Sequence, residues 1–287
     1  MKVSVQAFFD PATATTTYLV WDRATKEAAI IDPVLDFDPK TARLSTGSVD
    51  GVLAAAEAGG LQVRWALETH AHADHLSAAD VVRKRTGAKL GIGARITEVQ
   101  EAFKPLFNAT DVIPDGHVFD ALFEDEARFA IGQVEGRVLH TPGHTPACVT
   151  YVIGGAAFVG DTLFMPDYGT ARADFPGGDA ATLYRSIRRI LDLPAETRIF
   201  VGHDYLSEGR DKPAWETSVA EERVGNVHVR DGVSEASFVA MRQARDKTLA
   251  APTLILPSLQ VNIRAGAMPP AEADGRTYLK LPVNALA

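Results

Sequence analysis

Three histidines and an aspartate fall within six residues, His70-Ala71-His72-Ala73-Asp74-His75, a density of donors that packing alone does not call for. Neutral imidazole nitrogens and a carboxylate are the ligands a divalent cation takes. On an extended loop alternate side chains point the same way, so His70, His72 and Asp74 can converge while His75 turns as the chain enters a helix. Without a metal, histidines packed this closely would repel one another on protonation. One loop cannot surround an ion, so further donors must come from elsewhere. Three segments offer them: Thr141-Pro142-Gly143-His144-Thr145, Val159-Gly160-Asp161-Thr162 and Val201-Gly202-His203-Asp204. The proline and glycine before His144 permit a tight turn. A carboxylate closing an apolar run, as Asp161 does, is costly unless paired or metal-bound. His140, four residues before His144, reads as a strand or supporting residue, and His117 and His228 have no comparable context.

Each of these donors follows an apolar run of strand type. Val63–Leu67 leads into the histidine cluster, and strands at Glu135–His140, Ala156–Val159 and Arg198–Val201 precede the other three. Before the cluster, Val3–Phe9, Thr17–Trp21 and Ala28–Asp32 read as strands, and Ser48–Ala58 as a helix ended by Gly59-Gly60. After it come a helix at Ala78–Arg85 and a strand at Ala88–Ile92. The stretch beyond Gly116 then reads as strands only, including His117–Phe119, Arg128–Ile131 and Ala147–Ile153, until a helix at Asp179–Leu191. Strands, helix, strands, helix in one chain predicts an α/β fold of two sheets packed face to face with helices outside. The tail from about Trp215 carries a helical stretch at Ser234–Leu249 and is expected to cap the site. The division is residues 1–210 as catalytic domain and 211–287 as an extension completing the fold and the substrate pocket.

The 287 residues suffice for one large domain, and 46% apolar with 23% charged residues is the composition of a folded chain rather than a disordered one. The net charge of -8 with dispersed basic residues excludes a phosphate-tracking surface, so no nucleic-acid partner is expected. No apolar run approaches the roughly 20 residues of a membrane span. Cys148 is the single cysteine and the first residues make a poor signal peptide, so the expected compartment is the cytoplasm.

The four donor segments, in order and approximate spacing, resemble the metallo-β-lactamase superfamily over roughly residues 1–210. The resemblance implies a four-layer αββα sandwich with the site at the sheet edge and a C-terminal cap segment. Thr141 to Tyr151, the stretch Ala171-Arg172-Ala173-Asp174-Phe175-Pro176-Gly177-Gly178 and Leu183-Tyr184-Arg185-Ser186 look most like the persulfide dioxygenases, and next most like glyoxalase II. The first resemblance implies one iron(II) per chain held by His70, His144 and Asp161. Three protein ligands leave room for a sulfur substrate and O2 together. His72, Asp74, His75 and His203 would then act from behind the ligands. The implied substrates are glutathione persulfide and O2, giving sulfite and glutathione. The second resemblance implies two metals, one on His70, His72 and His144, one on Asp74, His75 and His203, bridged by Asp161, with a hydroxide attacking a thioester.

Glutathione carries two carboxylates, so its pocket needs guanidinium or amide donors. Arg172, Tyr205, Arg223 and Asn226 are the candidates, with Asn262 and Arg264 after them, and Cys148 is expected to be a small buried residue rather than a ligand. A homodimer is compatible with the chain.

Overall fold

The computed structural model describes residues 2–284. The chain opens with β1 (Ser4–Asp10), β2 (Thr15–Trp21) and β3 (Glu27–Ile31), an antiparallel meander. Short strands β4 (Val34–Asp38) and β5 (Arg43–Ser45) lead to α1 (Gly47–Ala58), then β6 (Gln62–Leu67), β7 (Leu76–Ser77), α2 (Ala79–Thr86), β8 (Lys89–Gly93), α3 (Ile96–Leu106) and β9 (Ala121–Phe123). The second half contributes β10 (Arg128–Ile131), β11 (Val134–His140), β12 (Val149–Ile153), β13 (Ala156–Gly160), α4 (Ala180–Leu191), β14 (Arg198–Val201) and β15 (Glu216–Ser218). Helices α5 (Val219–Gly225), α6 (Glu235–Asp246) and α7 (Ile255–Asn262) follow.

One six-stranded sheet runs β1-β2-β3-β6-β8-β9 and a second runs β10-β11-β12-β13-β14-β15. Strands β3 and β13 are apolar on both faces because both faces are covered. In β3, Ala29 and Ile31 enter the layer between the sheets while Ala28 and Ile30 join the outer layer beneath α1 and α2. In β13, Ala156 and Phe158 face inward and Ala157 and Val159 pack outward against Leu183, Ile187 and Ile190 of α4. The result is helix, sheet, sheet, helix, the predicted αββα order. Phe158, Phe200 and Tyr18 fill the middle layer, with the first two stacked at 5.0 Å.

Several elements depart from the sequence expectation. Residues 117–119 form a turn instead of a strand: Asp115 accepts from the His117 N–H at 3.0 Å, Gly116 takes a positive φ of 73°, and Phe119 N donates back to Gly116 O. Pairing with β8 begins only at Ala121. Helix α3, with Ile96, Val99 and Phe103 buried along one face, was not anticipated. After residue 210 the chain is woven into the main body. Strand β15 pairs with β14. The Tyr184 hydroxyl of α4 donates to Val233 O just before α6 at 2.7 Å, and α7 is tied to β7 through Asn262.

Candidate metal centre

All four donor segments leave the ends of strands on one edge of the sandwich. Leu67 ends β6 two residues before Thr69-His70, β11 ends at His140, β13 at Gly160 and β14 at Val201. Close backbone packing brings the loops together. Gly143 has φ of 134° and lies so near the backbone of Leu183 that a Cβ would meet it at 2.3 Å, and a Cβ on Gly202 would meet Asp161 Oδ1 at 2.7 Å.

His70, His144 and Asp161 form one buried group whose ligand atoms all lie within 4.8 Å of one another. The rings of His70 and His144 stand 5.1 Å apart and nearly perpendicular at 89°. His144 Nδ1 donates to Arg172 O at 2.8 Å, which leaves Nε2 as the lone pair facing Asp161 Oδ2, 3.8 Å away. His70 Nδ1 contacts Thr69 Oγ1 at 3.1 Å, so its Nε2 is also the free nitrogen. On the other side of Asp161, Oδ1 lies 3.3 Å from His203 Nε2, which is 3.2 Å from Asp74 Oδ2. His203 Nδ1 contacts Thr15 Oγ1 and Ala14 O, both at 3.3 Å.

His72 is held from the side away from this group: its Nε2 lies 3.0 Å from Asp32 Oδ1 and 3.3 Å from Glu68 Oε2. Asp32 is fixed by the Thr69 N–H at 2.7 Å and the Thr69 hydroxyl at 2.8 Å, and Ser77 Oγ donates to Glu68. His75 Nδ1 lies 3.2 Å from Leu76 O.

Burial and mutual proximity set the charge states. Burial and the neighbouring imidazoles, His72 first, push His70 well below the usual histidine range, and burial with His72 brings His75 down to about 4. Burial pushes the other way on His72, but Asp32 and Glu68 outweigh it and raise the ring well above its ordinary value. For Asp74, burial pushes the carboxyl up, yet His203, His75 and His72 outweigh it and bring it to about 2. Burial raises Asp161.

The fit to a metal rests on atoms that protein groups leave without hydrogen bonds. His70 Nε2, His72 Nδ1, His75 Nε2, His203 Nε2 and Asp161 Oδ1 are buried and find no hydrogen-bond partner among the described residues. Buried polar atoms left so are costly, and this many in one spot is the pattern of a ligand set. These atoms belong to adjoining groups, His70 with His144 and Asp161, His72 and His75 with Asp74, and His203 with Asp74 and Asp161, and a divalent ion held by any of these groups would satisfy the donors that it joins.

The metallo-β-lactamase superfamily model matches residues 10–203. The chain belongs to that superfamily. A probable metallo-hydrolase of Burkholderia pseudomallei is 52% identical over 99% of this chain and all of its own length. The glyoxylase B2 of Dictyostelium discoideum is 46% identical over 99% of this chain and 98% of its own. Human mitochondrial persulfide dioxygenase ETHE1 is 34% identical over 71% of this chain and 69% of its own. The chain spans 65% of the length of the β-lactamase hydrolase-like proteins of Xylella fastidiosa and Agrobacterium fabrum. Among solved structures, ETHE1 from Myxococcus xanthus superposes with a TM-score of 0.73 at 31% identity, covering 92% of this chain and all of that one. The protein is thus a metallo-β-lactamase superfamily enzyme with a metal-binding His/Asp cluster.

The substrate candidates separate. Tyr205 lies over His203, ring centroids 5.4 Å apart and planes within 11°, beside Tyr168 and Phe164, and is 43% exposed. Arg172 reaches the site through its carbonyl, while its guanidinium holds Asp174 at 2.6 and 2.9 Å and Ala250 O at 2.7 Å. Arg223 on α5 and Asn226 just after it both have partners within the protein. Arg223 is paired with Asp231 at 2.9 Å. Asn226 is buried, its Nδ2 donating to Gly169 O and Glu222 Oε2 and its Oδ1 accepting from His228 N and Val229 N. Asn262 is a clamp on the histidine loop, donating to His72 O and His75 O and accepting from Ser77 N, all at 2.8 Å. Arg264 is paired with Asp111 at 2.8 Å. Cys148 is buried against Thr145, as expected.

Asp32 and Glu68 are not among the residues expected from the sequence. Their signal was present: Ile30-Ile31-Asp32 closes an apolar strand with a carboxylate, the same mark that singled out Asp161, and Glu68 follows Leu67 at the end of β6.

Proposed function

We propose that this enzyme is a persulfide dioxygenase: glutathione persulfide, O2 and water give glutathione and sulfite at a single iron(II) held by His70, His144 and Asp161. The observation that carries this reading is the buried trio itself, two imidazoles and one carboxylate with ligand atoms within 4.8 Å. That donor set is the facial triad of non-haem iron(II) oxygenases, which leaves open positions for substrate and O2. The likeness to the two ETHE1 proteins supports it. The iron, when bound, would supply the redox chemistry.

The chain's own residues do the rest. Arg172 O keeps the proton of His144 on Nδ1, and Thr69 engages Nδ1 of His70, so both rings present Nε2. Asp32 and Glu68 fix His72, and the pairs Asp74–His203 and Asp161–His203 hold the far wall. Tyr205, half out of the protein over His203, is the residue assigned to substrate at the mouth. The partners are glutathione persulfide and O2 in the cytoplasm. No helix among the described residues is long and apolar enough to cross a membrane.

A second reading draws on a specific observation. Asp161 faces His144 with Oδ2 and His203 with Oδ1, and Asp74, Asp161 and His203 form a group of their own, the layout of a carboxylate bridging two metals. It corresponds to a glyoxalase II-like thioester hydrolase acting on S-lactoylglutathione, in keeping with the relatives named metallo-hydrolase and glyoxylase. Elemental analysis after anaerobic loading with iron(II) separates the two. One iron per chain and no hydrolysis of S-lactoylglutathione support the dioxygenase; two metals with thioester hydrolysis replace it with the hydrolase.

A further inference from the structure

The C-terminal helices grip one strip of backbone from behind, and that strip orients His144. His144 Nδ1 donates to Arg172 O, and the backbone on both sides of that carbonyl is tied down. Gly169 O accepts from Asn226 Nδ2 at 3.1 Å, and Thr170 N donates to His228 Nδ1 at 3.1 Å. Thr170 O accepts from Arg242 Nη1 at 3.0 Å, and Ala173 N donates to Asp246 Oδ2 at 3.0 Å. Arg242 and Asp246 lie one turn apart on α6 and are joined by Nε to Oδ1 at 2.8 Å, with exposures of only 1% and 5%.

A buried ion pair is poor evidence of stabilisation, since apolar residues of the same volume commonly serve as well or better. What apolar residues cannot do is hold a carbonyl and an amide at fixed places. Here the guanidinium takes the carbonyl two residues before Arg172, and the carboxylate takes the amide one residue after it. We propose that Arg242 and Asp246 are positioning residues for the metal centre: they fix the Thr170–Ala173 backbone so that Arg172 O keeps the His144 proton on Nδ1 and leaves Nε2 to the ion. This rests on the reading of His144 as a metal ligand. Both residues lie beyond residue 203, where the superfamily match ends, so the device belongs to the C-terminal extension.

The test uses the full-length protein, stripped of metal and titrated anaerobically with iron(II) against a chromophoric chelator. The variants are Arg242→Met/Asp246→Leu, which removes both charges together, Arg242→Lys, and Phe238→Leu as a control. Phe238 is a buried residue of α6 that packs on Tyr184. The double variant is expected to bind iron about 10- to 100-fold more weakly than the parent, the loss typical of an outer hydrogen-bond partner, with Arg242→Lys intermediate and Phe238→Leu unchanged. The imidazole nitrogen spectrum of metal-free protein is expected to show His144 protonated at Nδ1 in the parent and as mixed tautomers in the double variant. Iron affinity within about twofold of the parent, or an equal loss in Phe238→Leu, overturns the proposal. If the double variant does not fold, Arg242→Lys decides by the same two readouts. A parent that takes up no iron overturns the metal reading itself.

Discussion

Replacing Asn262 with alanine should loosen the histidine loop from a position 190 residues away in sequence. Its side chain is 4% exposed and makes three hydrogen bonds at 2.8 Å, two as donor to His72 O and His75 O and one as acceptor from Ser77 N. Asn262→Ala leaves all three backbone groups buried without a partner, at about 1–3 kcal/mol each, so roughly 3–9 kcal/mol in total. In a chain of this size each kcal/mol moves the melting temperature by about 2–4 °C, which places the loss at about 6 °C or more. Asn262→Asp is the sharper test. It keeps an acceptor for Ser77 N but turns two donors into a carboxylate oxygen facing two carbonyls, and should be at least as damaging. The assay is scanning calorimetry of metal-free protein, followed by iron titration at a temperature where the variants are folded. Because the clamped carbonyls belong to two residues of the metal loop, iron affinity should fall together with stability. An alanine variant melting within about 2 °C of the parent and binding iron equally well would refute this reasoning.

Other outcomes follow from single residues. Glu222 is buried, and burial with the nearby charges of Glu221 and Asp167 raises its carboxyl to about 8. The folded state therefore holds this proton more tightly than the unfolded chain. The stability it gives is complete below the ordinary glutamate range and is lost as pH rises through about 8. Glu222→Gln should raise the melting temperature more at pH 9 than at pH 5; a gain of equal size at both pH values would contradict the assignment. Cys148 is 2% exposed and burial raises its thiol to about 12. An aromatic disulfide reagent at pH 8 should react only after denaturation, and stoichiometric reaction with native protein would contradict this. His140 Nε2 is engaged by Pro146 O at 2.9 Å, so His140→Gln should bind iron within about twofold of the parent. His144→Ala should exceed the roughly 10- to 100-fold loss of an outer partner, and equal effects of the two substitutions would overturn the ligand assignment.

The layers and the metal loop were legible in the sequence because their signals are local. An apolar run followed by His or Asp marks a strand end that presents a ligand, and β6, β13 and β14 each carry that mark. Helix α3 was not read from the sequence, although Ile96, Val99 and Phe103 repeat at helical spacing and Pro105 falls only near its end. The strand expected at 117–119 failed because Asp115 and Gly116 impose a turn that the apolar residues after it do not reveal. What could not be read was commitment. An arginine or asparagine in the C-terminal third looks available for a carboxylate substrate until its partners are known. Asn226, Asn262 and Arg264 are occupied by contacts reaching up to 190 residues along the chain. Such pairings are products of the tertiary fold, and a single sequence holds no local trace of them.

The trio of His70, His144 and Asp161 is the feature that would make this enzyme an oxygenase. The most direct measurement is oxygen uptake in a closed electrode cell, using protein loaded anaerobically with iron(II), counted for metal and supplied with glutathione persulfide. The predicted result is consumption of one O2 per sulfite formed, abolished in His144→Ala. No oxygen uptake by a sample holding one iron per chain would contradict it.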